Sequence, residues 1–409
     1  EAIAILNLCT MKKPMLKYYE GYYYGKLNHV EEAIKAMQEA EAACAAQCFP
    51  NKLEDILVLN HAIKINPEGA KAYYYLGNLN YDKKQYEASK DLWEKSAKLD
   101  GAFPTVFRNL ALVYYNKFNM AKEAQISLEK AFDLDKTDGR VFLELDQLYK
   151  KLGKTPRERI AHCEANYETM ASRDDMFIEY ITLKNLIGNY EEAYSLIMGR
   201  KFHPWEGGEG KVTTQYTTAL VQMAKKALKD KKYDKAIELL NNALIYPENL
   251  GEGKLEGTKD NHVFYYLGCA YEGLGQAEEA KKCFKAATIG TDEPAGMMYY
   301  NDQPADMILF QGLAKLKLNR QIEANARFYR LVDYGERHVF DEVKIEYFAV
   351  SLPDFLIFNE DWNRRNKAHC YYLMGLGNIG LGNEEKGKEY LRKALELDMN
   401  HQNAGIYLN

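Results

Sequence analysis

Small, apolar and aromatic residues recur along this chain at fixed spacing, with charged residues between them. One unit is spelled by Leu267-Gly268, Tyr271, Ala280, Phe284 and Ala287. The interval of twelve from a glycine to a second small residue returns at Gly21/Ala33, Gly77/Ser89, Gly312/Ala324 and Gly375/Gly387. The later offsets return in Ala33-Met37-Ala40, Ser89-Trp93-Ser96, Ala236-Leu240-Ala243 and Gly387-Leu391-Ala394. Each unit reads as two helices in contact, too small to bury its own apolar stripe. Small residues on both helices let them touch, and the aromatic and Leu positions fill the gap between neighbouring pairs.

The pattern predicts roughly nine pairs, near 15–48, 70–100, 104–135, 139–170, 174–199, 212–246, 261–289, 305–334 and 368–398. A lone second-helix pattern, Leu59, Ala62 and Asn66-Pro67, follows the first pair, with Pro67 just past its end. An extra residue near Phe118-Asn119-Met120 lengthens one inter-helix turn. The pairs over 139–199 are divergent, and Pro156 sits where a second helix would begin, a position tolerated in a first turn. Weak interfaces and a bend are expected there.

Connections divide the chain into a region 1–199 with short joins and a region 200–409 with enlarged ones, expected to form one continuous array. The long joins are Arg200–Val212, Pro247–Asp260, Gly290–Pro304 and Gly335–Asn366. All four link the same kind of helix ends, so a regular stack places them along one edge. Loops of this length are usually functional or disordered, and their Trp, Tyr, Phe and Pro content argues against disorder. In the last join, alternation at Val339, Phe340, Val343, Ile345, Tyr347 and Val350 predicts a short strand or extended segment.

These offsets resemble those of the tetratricopeptide (TPR) repeat, and the resemblance covers most of the chain. It implies an all-α fold, a right-handed α-α solenoid whose first helices line a concave face. Some members hold a partner's C-terminal carboxylate with a Lys/Asn/Asn/Lys/Arg clamp. In that register Asn78 and Asn109 match, Arg140 replaces the second Lys, and Tyr74 and Glu144 occupy the other positions. The departure argues against tail recognition at this place and leaves Asn78, Asn109 and Arg140 as candidate polar contacts. Many of the 32 Tyr fall on first helices, often adjacent, as at Tyr265-Tyr266. Adjacent residues point about 100° apart on a helix, so one of each pair can pack between repeats while the other faces the groove.

Charge narrows the partners. Lys+Arg of 54 against Asp+Glu of 59 gives a net charge of −5. Phosphate binding needs a concentrated positive field, so nucleic acid is not expected. The lysines at Lys225-Lys226 and Lys229 to Lys232 read as a solvated face. No apolar run is long enough to span a membrane. The 7 Cys are scattered and odd in number, which favours free thiols and a reducing, cytoplasmic compartment over a periplasmic or secreted one. The chain opens at Glu1-Ala2-Ile3 already in an apolar pattern, which suggests an excised part of a longer protein.

Candidate chemistry gathers in the joins. His203, Glu206 and Glu209 are spaced three apart, but Pro204 and three glycines forbid the helix that would align them as metal ligands. Trp205 reads as a loop anchor in an apolar slot. His338, Asp341, Asp354 and Asp361 suit either acid–base work or capping. No catalytic triad, zinc motif or phosphate loop is present, so no metal or cofactor is expected.

The motifs WEGGEGKV (205–212), YPENLGEG (246–253), YYNDQP (299–304), SLPD (351–354) and FNED (358–361) resemble the C-terminal repeat region of a bacterial family. There, a TPR array follows a β-sandwich domain akin to galactose mutarotases. That resemblance implies an association with carbohydrate. The reading is a non-catalytic scaffold that binds a protein or peptide partner or its own upstream domain. The alternative is a carbohydrate-active or carbohydrate-binding site at His203, Glu206, Glu209 and Asp354. Contacts are expected where groove and joins meet, at Tyr265, Tyr299, Tyr300, Asp361 and Trp362 as well as Trp205.

Overall fold

Pairing of amphipathic helices organises the described residues. The computed structural model describes residues 1–9, 11, 13–296, 303–344 and 357–408, and among them all regular structure is helical. Two units separate by their internal contacts. One comprises residues 1–152 with 357–359, the other residues 153–356 with 360–409. This division and the change in join length therefore mark different places, 152/153 and 199/200.

The first unit holds α1 (Ala2–Asn7), α2 (Pro14–Lys26), α3 (Val30–Ala42), α4 (Leu53–Ile65), α5 (Ala70–Asp82), α6 (Tyr86–Leu99), α7 (Pro104–Phe118), α8 (Ala121–Leu134) and α9 (Gly139–Lys151). The second holds α10 (Pro156–Ala165), α11 (Tyr167–Ala171), α12 (Asp174–Leu186), α13 (Tyr190–Met198), α14 (Lys211–Lys229), α15 (Tyr233–Ala243) and α16 (Asn261–Gly273). It continues with α17 (Ala277–Ala287), α18 (Met307–Lys317), α19 (Gln321–His338), α20 (Trp362–Gly380), α21 (Glu384–Leu397) and α22 (Gln402–Leu408). The pairs α2/α3, α5/α6 and α7/α8 lie in the first unit, and α12/α13, α14/α15, α16/α17, α18/α19 and α20/α21 in the second. Helices α9 and α10, expected as one pair, fall in different units.

The glycines sit where the helices touch. A Cβ at Gly21 would stand 2.7 Å from Met37, at Gly77 2.5 Å from Trp93, at Gly268 2.5 Å from Phe284, at Gly312 2.3 Å from Phe328 and at Gly375 2.8 Å from Leu391. The partner always lies sixteen residues on, so the repeat's large residue packs flat on the backbone of its own first helix. Where the small residue twelve on is Ser89, its hydroxyl also donates to the Gly77 carbonyl at 2.9 Å.

Each of these pairs reverses direction through one left-handed residue. They are Asn28, Lys84, Asn119, Gly188, Lys231, Gly275, Asn319 and Gly382, with φ between 54° and 85°. The next N–H returns to the carbonyl five residues back, as in His29 to Tyr24, Lys232 to Ala227 and Asn383 to Asn378. That bond satisfies a carbonyl left open at the helix end. In α7/α8 it runs six back, from Met120 to Tyr114 at 2.9 Å, which absorbs the extra residue of that turn.

The divergent stretch is the most sparsely packed, as expected, with α12 against α13 touching less than any other repeat pair, and polar ties hold it. Thr155 and Glu158 form a reciprocal capping box at the start of α10. Arg159, fully buried, donates to Glu179 at 2.7 Å and to Asn400 at 3.1 Å. The strand expected at 339–350 has no counterpart over 339–344, and its remainder lies outside the described residues.

Candidate functional site

Phe202 N–H donates to the Asn249 carbonyl at 2.8 Å, Asn249 Nδ2 donates to Ile197 and Arg200 carbonyls, and Gly210 N–H reaches the Glu252 carboxylate at 3.0 Å. The first two long joins thus brace one another. His203 is exposed, and its backbone N–H and Nδ1 both contact Asp174 Oδ2, at 2.9 and 3.0 Å. Burial pushes the Asp174 carboxyl up, but the His203 N–H and the Arg200 guanidinium outweigh it and hold the group below its usual range. Glu206 and Glu209 are exposed, and Trp205 is half-buried with its indole against Gly208. Asp361 accepts the Arg364 N–H at 3.0 Å as the cap of α20, and the Trp362 ring lies 5.5 Å from the Arg365 guanidinium. Tyr299, Tyr300 and Asp354 lie outside the described residues. Among the described residues, no three His, Cys, Asp or Glu are arranged to hold a metal ion, and no helix is long and apolar enough to cross a membrane.

In the first unit the candidate polar contacts serve each other. Asn78 Oδ1 accepts from Trp93 Nε1 and from Asn109 Nδ2, both at 3.0 Å. Glu144, where the clamp has its Arg, is buried between two guanidiniums. Arg108 grips it through two bonds of 2.6 Å and Arg140 adds one of 3.0 Å. Residues 357–359 add a short segment to this unit, where Asn116 and Asn359 exchange side-chain-to-backbone bonds and Phe358 packs on Tyr115.

A cavity of about 160 Å³ with both polar and apolar lining opens in the second unit. Thr214, Thr218, Val221, Gln222 and Lys225 present one face of α14 at spacings of three and four, His262 and Tyr266 do so on α16, and Phe310 closes the side on α18. The second long join supplies Thr258, Lys259 and Asp260, and the third supplies Pro304. Helix α22, which the pattern did not anticipate, brings Asn403, Ile406 and Tyr407. It is held there by Gln402, whose side-chain amide meets that of Gln215 on α14 at 2.9 Å.

Of the adjacent tyrosines on α16, Tyr265 packs between repeats, with ring centres 6.0 Å from Phe284 and 5.9 Å from Phe310. It is Tyr266 that lines the cavity. Lys226 is exposed and pairs with Glu191 at 3.0 Å, as a solvated face requires. Lys225 does not belong to that face. Its ammonium stands 5.9 Å from the ring centres of both Tyr266 and Tyr407, and burial lowers its pKa. No carboxylate pairs with it among the described residues. The register held the clue: Ala224 precedes Ala236 by twelve, so Lys225 occupies the position that Asn78 has after Gly77.

The cavity's other polar groups are strongly perturbed. Burial, with a smaller contribution from Lys254, takes His262 down to about 4, and its Nδ1 is enclosed without a hydrogen-bond partner. Thr217 Oγ1 is likewise buried and unpartnered. Burial raises Asp260 despite Lys254 at 2.7 Å. It raises Asp306 as well, which accepts from Tyr372 Oη at 2.9 Å and Asn403 Nδ2 at 3.2 Å. Perturbed groups around one apolar-floored cavity are the usual mark of a ligand site.

The tetratricopeptide repeat family model matches residues 262–288 and 368–401, the bodies of α16/α17 and α20/α21, so the chain carries tetratricopeptide repeats. Among solved structures it is similar to YrrB, described as a TPR protein with an unusual peptide-binding site, at 18% identity over 56% of this chain and 90% of that one, with a TM-score of 0.30. It is also similar to the Naa15/Naa10 structure bound to HypK, at 10% identity over 97% of this chain and 60% of that one, with a TM-score of 0.40. The P58(IPK) TPR domain is a third, at 16% identity over 76% and 80% of the two chains, with a TM-score of 0.28.

Proposed function

We propose that the chain is a non-catalytic repeat scaffold that holds a protein or peptide partner on the first-helix face of its second unit. The observation that carries this reading is the cavity formed by α14, α16 and α18, where a half-buried lysine, three tyrosines and a row of threonines line a space open to another molecule. Aromatic residues beside desolvated pockets dominate binding energy, and a helical-repeat stack offers such a pocket between neighbours. The seven free thiols suit a reducing, cytoplasmic setting. The bacterial, carbohydrate-linked context implied by the resemblance from residue 200 is where such a partner is first sought.

Affinity capture tests this with wild type and Thr218→Arg, which fills the cavity mouth from a half-buried helix position. A partner retained by wild type and lost by a variant of unchanged melting temperature supports the reading. Undiminished retention contradicts it.

A further inference from the structure

The cavity's chemistry is specific enough to name what it takes. Its one central charge is the Lys225 ammonium, drawn partly out of water between the faces of Tyr266 and Tyr407 and left without a carboxylate among the described residues. A cation so placed gives up hydration without gaining a counter-charge, so an incoming anion recovers what folding cost. The acids of the lining are already engaged. Asp260 is held by Lys254 at 2.7 Å, and Asp306 is bonded by Tyr372 and Asn403. Lys259, half-buried in the lining, adds a second positive charge with no ion pair among the described residues. The lining also carries hydroxyl and amide groups able to donate to an oxyanion, among them the Gln222 side chain one turn from Lys225 and, further along α14, the unpartnered Thr217 Oγ1. Phe310, Met307 and Ile406 supply apolar lining, with the Phe310 ring 5.7 Å from that of Tyr266. A volume of about 160 Å³ matches a group of benzene size, since an apolar cavity of about 150 Å³ accepts benzene.

We propose that this cavity binds a carboxylate carried on one aromatic or branched apolar group, with Lys225 as its counter-charge and the Phe310 wall receiving the apolar body. A free small acid and the last residue of a peptide share this chemistry. The proposal rests on the partner-binding reading only for the location of the site. Capture that survives while acids fail to bind would sink this inference and leave that reading standing.

The test is titration of the full chain, followed by calorimetry, with benzoate, N-acetyl-leucine and N-acetyl-phenylalanine, each against its amide. Pentapeptides ending in Phe, with free or amidated ends, form a second arm. At least one acid should bind saturably at millimolar concentration or below, with its amide weaker by about tenfold or more, as the loss of a charge-assisted contact implies. Lys225→Met should erase the difference between acid and amide without lowering the melting temperature, because it removes an unpaired, partly buried charge. Lys225→Arg should retain it. Binding of the free acid alone assigns the small-molecule source, and binding confined to the peptide acid assigns the terminal residue. Equal binding of acid and amide, an unchanged preference in Lys225→Met, or no saturable binding by any acid in either arm would overturn the proposal.

Discussion

Gly77 lies directly beneath the indole of Trp93, so close that a Cβ there would stand 2.5 Å from both Cδ1 and Nε1. The ring cannot easily give way, because Nε1 donates to Asn78 Oδ1 at 3.0 Å and the residue is buried. Gly77→Ala should therefore destabilise by about 1 to 3 kcal/mol, the usual cost of overpacking. Gly101 has nothing within 4 Å of its notional Cβ, and Gly101→Ala should be neutral or stabilising by about 0.5 kcal/mol. Denaturant unfolding of the two variants checks the contrast. Equal effects would mean that the contact is slack.

Lys231 turns the chain between α14 and α15 at φ 60° and is exposed. A side chain in the left-handed region costs about 1 kcal/mol, which glycine does not incur. Lys231→Gly should raise stability by up to about that amount, whereas Glu238→Gly, at an exposed position in the middle of α15, should lower it by about 1 kcal/mol. Thermal melts of both give the comparison, and a lowered melting temperature for Lys231→Gly would refute the turn assignment.

Glu144 is 3% exposed and shared by Arg108 and Arg140. Arg108→Met leaves this buried carboxylate with only the exposed Arg140, which should cost about 2 to 4 kcal/mol. Adding Glu144→Leu removes the stranded charge and should recover most of the loss. A double variant no better than the single one would show that Arg108 matters for its packing instead.

His262 supplies a pH dependence. Its folded value of about 4 lies below the ordinary 6.5, so between these values the unfolded chain binds more protons than the folded one. Its contribution is intact above pH 6.5 and lost as pH falls towards 4, by about 3 kcal/mol at most and less to the extent that the ring keeps solvent access. Asp260 and Asp306, raised by burial, act in the opposite direction, so the variant must be compared with wild type at each pH. His262→Phe should lose less stability than wild type between pH 6.5 and 4 in urea titrations. Parallel profiles would contradict the assignment.

Much of this fold was legible because its contacts are local and periodic. The intervals of twelve and sixteen from a first-helix small residue are the contacts of one helix pair, which is why Gly77, Ser89 and Trp93 could be read together. Helix α22 escaped because its partners are remote: Gln402 meets Gln215, and Asn403 meets Asp306. No local period encodes such pairings. Lys225 was hidden by its neighbours, since Lys226 beside it is a solvated lysine and only the register separates the two. The adjacent Tyr265 and Tyr266 show the same limit. Helical spacing requires them to diverge, yet which one faces the cavity depends on where Phe284 and Phe310 pack.

A partner held on the first-helix face of the second unit would lie over the cavity between α14, α16 and α18. A photo-crosslinking residue placed at Thr218, on the cavity wall, tests it most directly against the same residue at Ile322, which is 87% exposed on second helix α19. In the producing cell, a discrete crosslinked partner is expected from position 218, absent from 322 and lost when Lys225→Glu is added to the same chain. Crosslinks of equal yield from both positions, or from 322 alone, would contradict it.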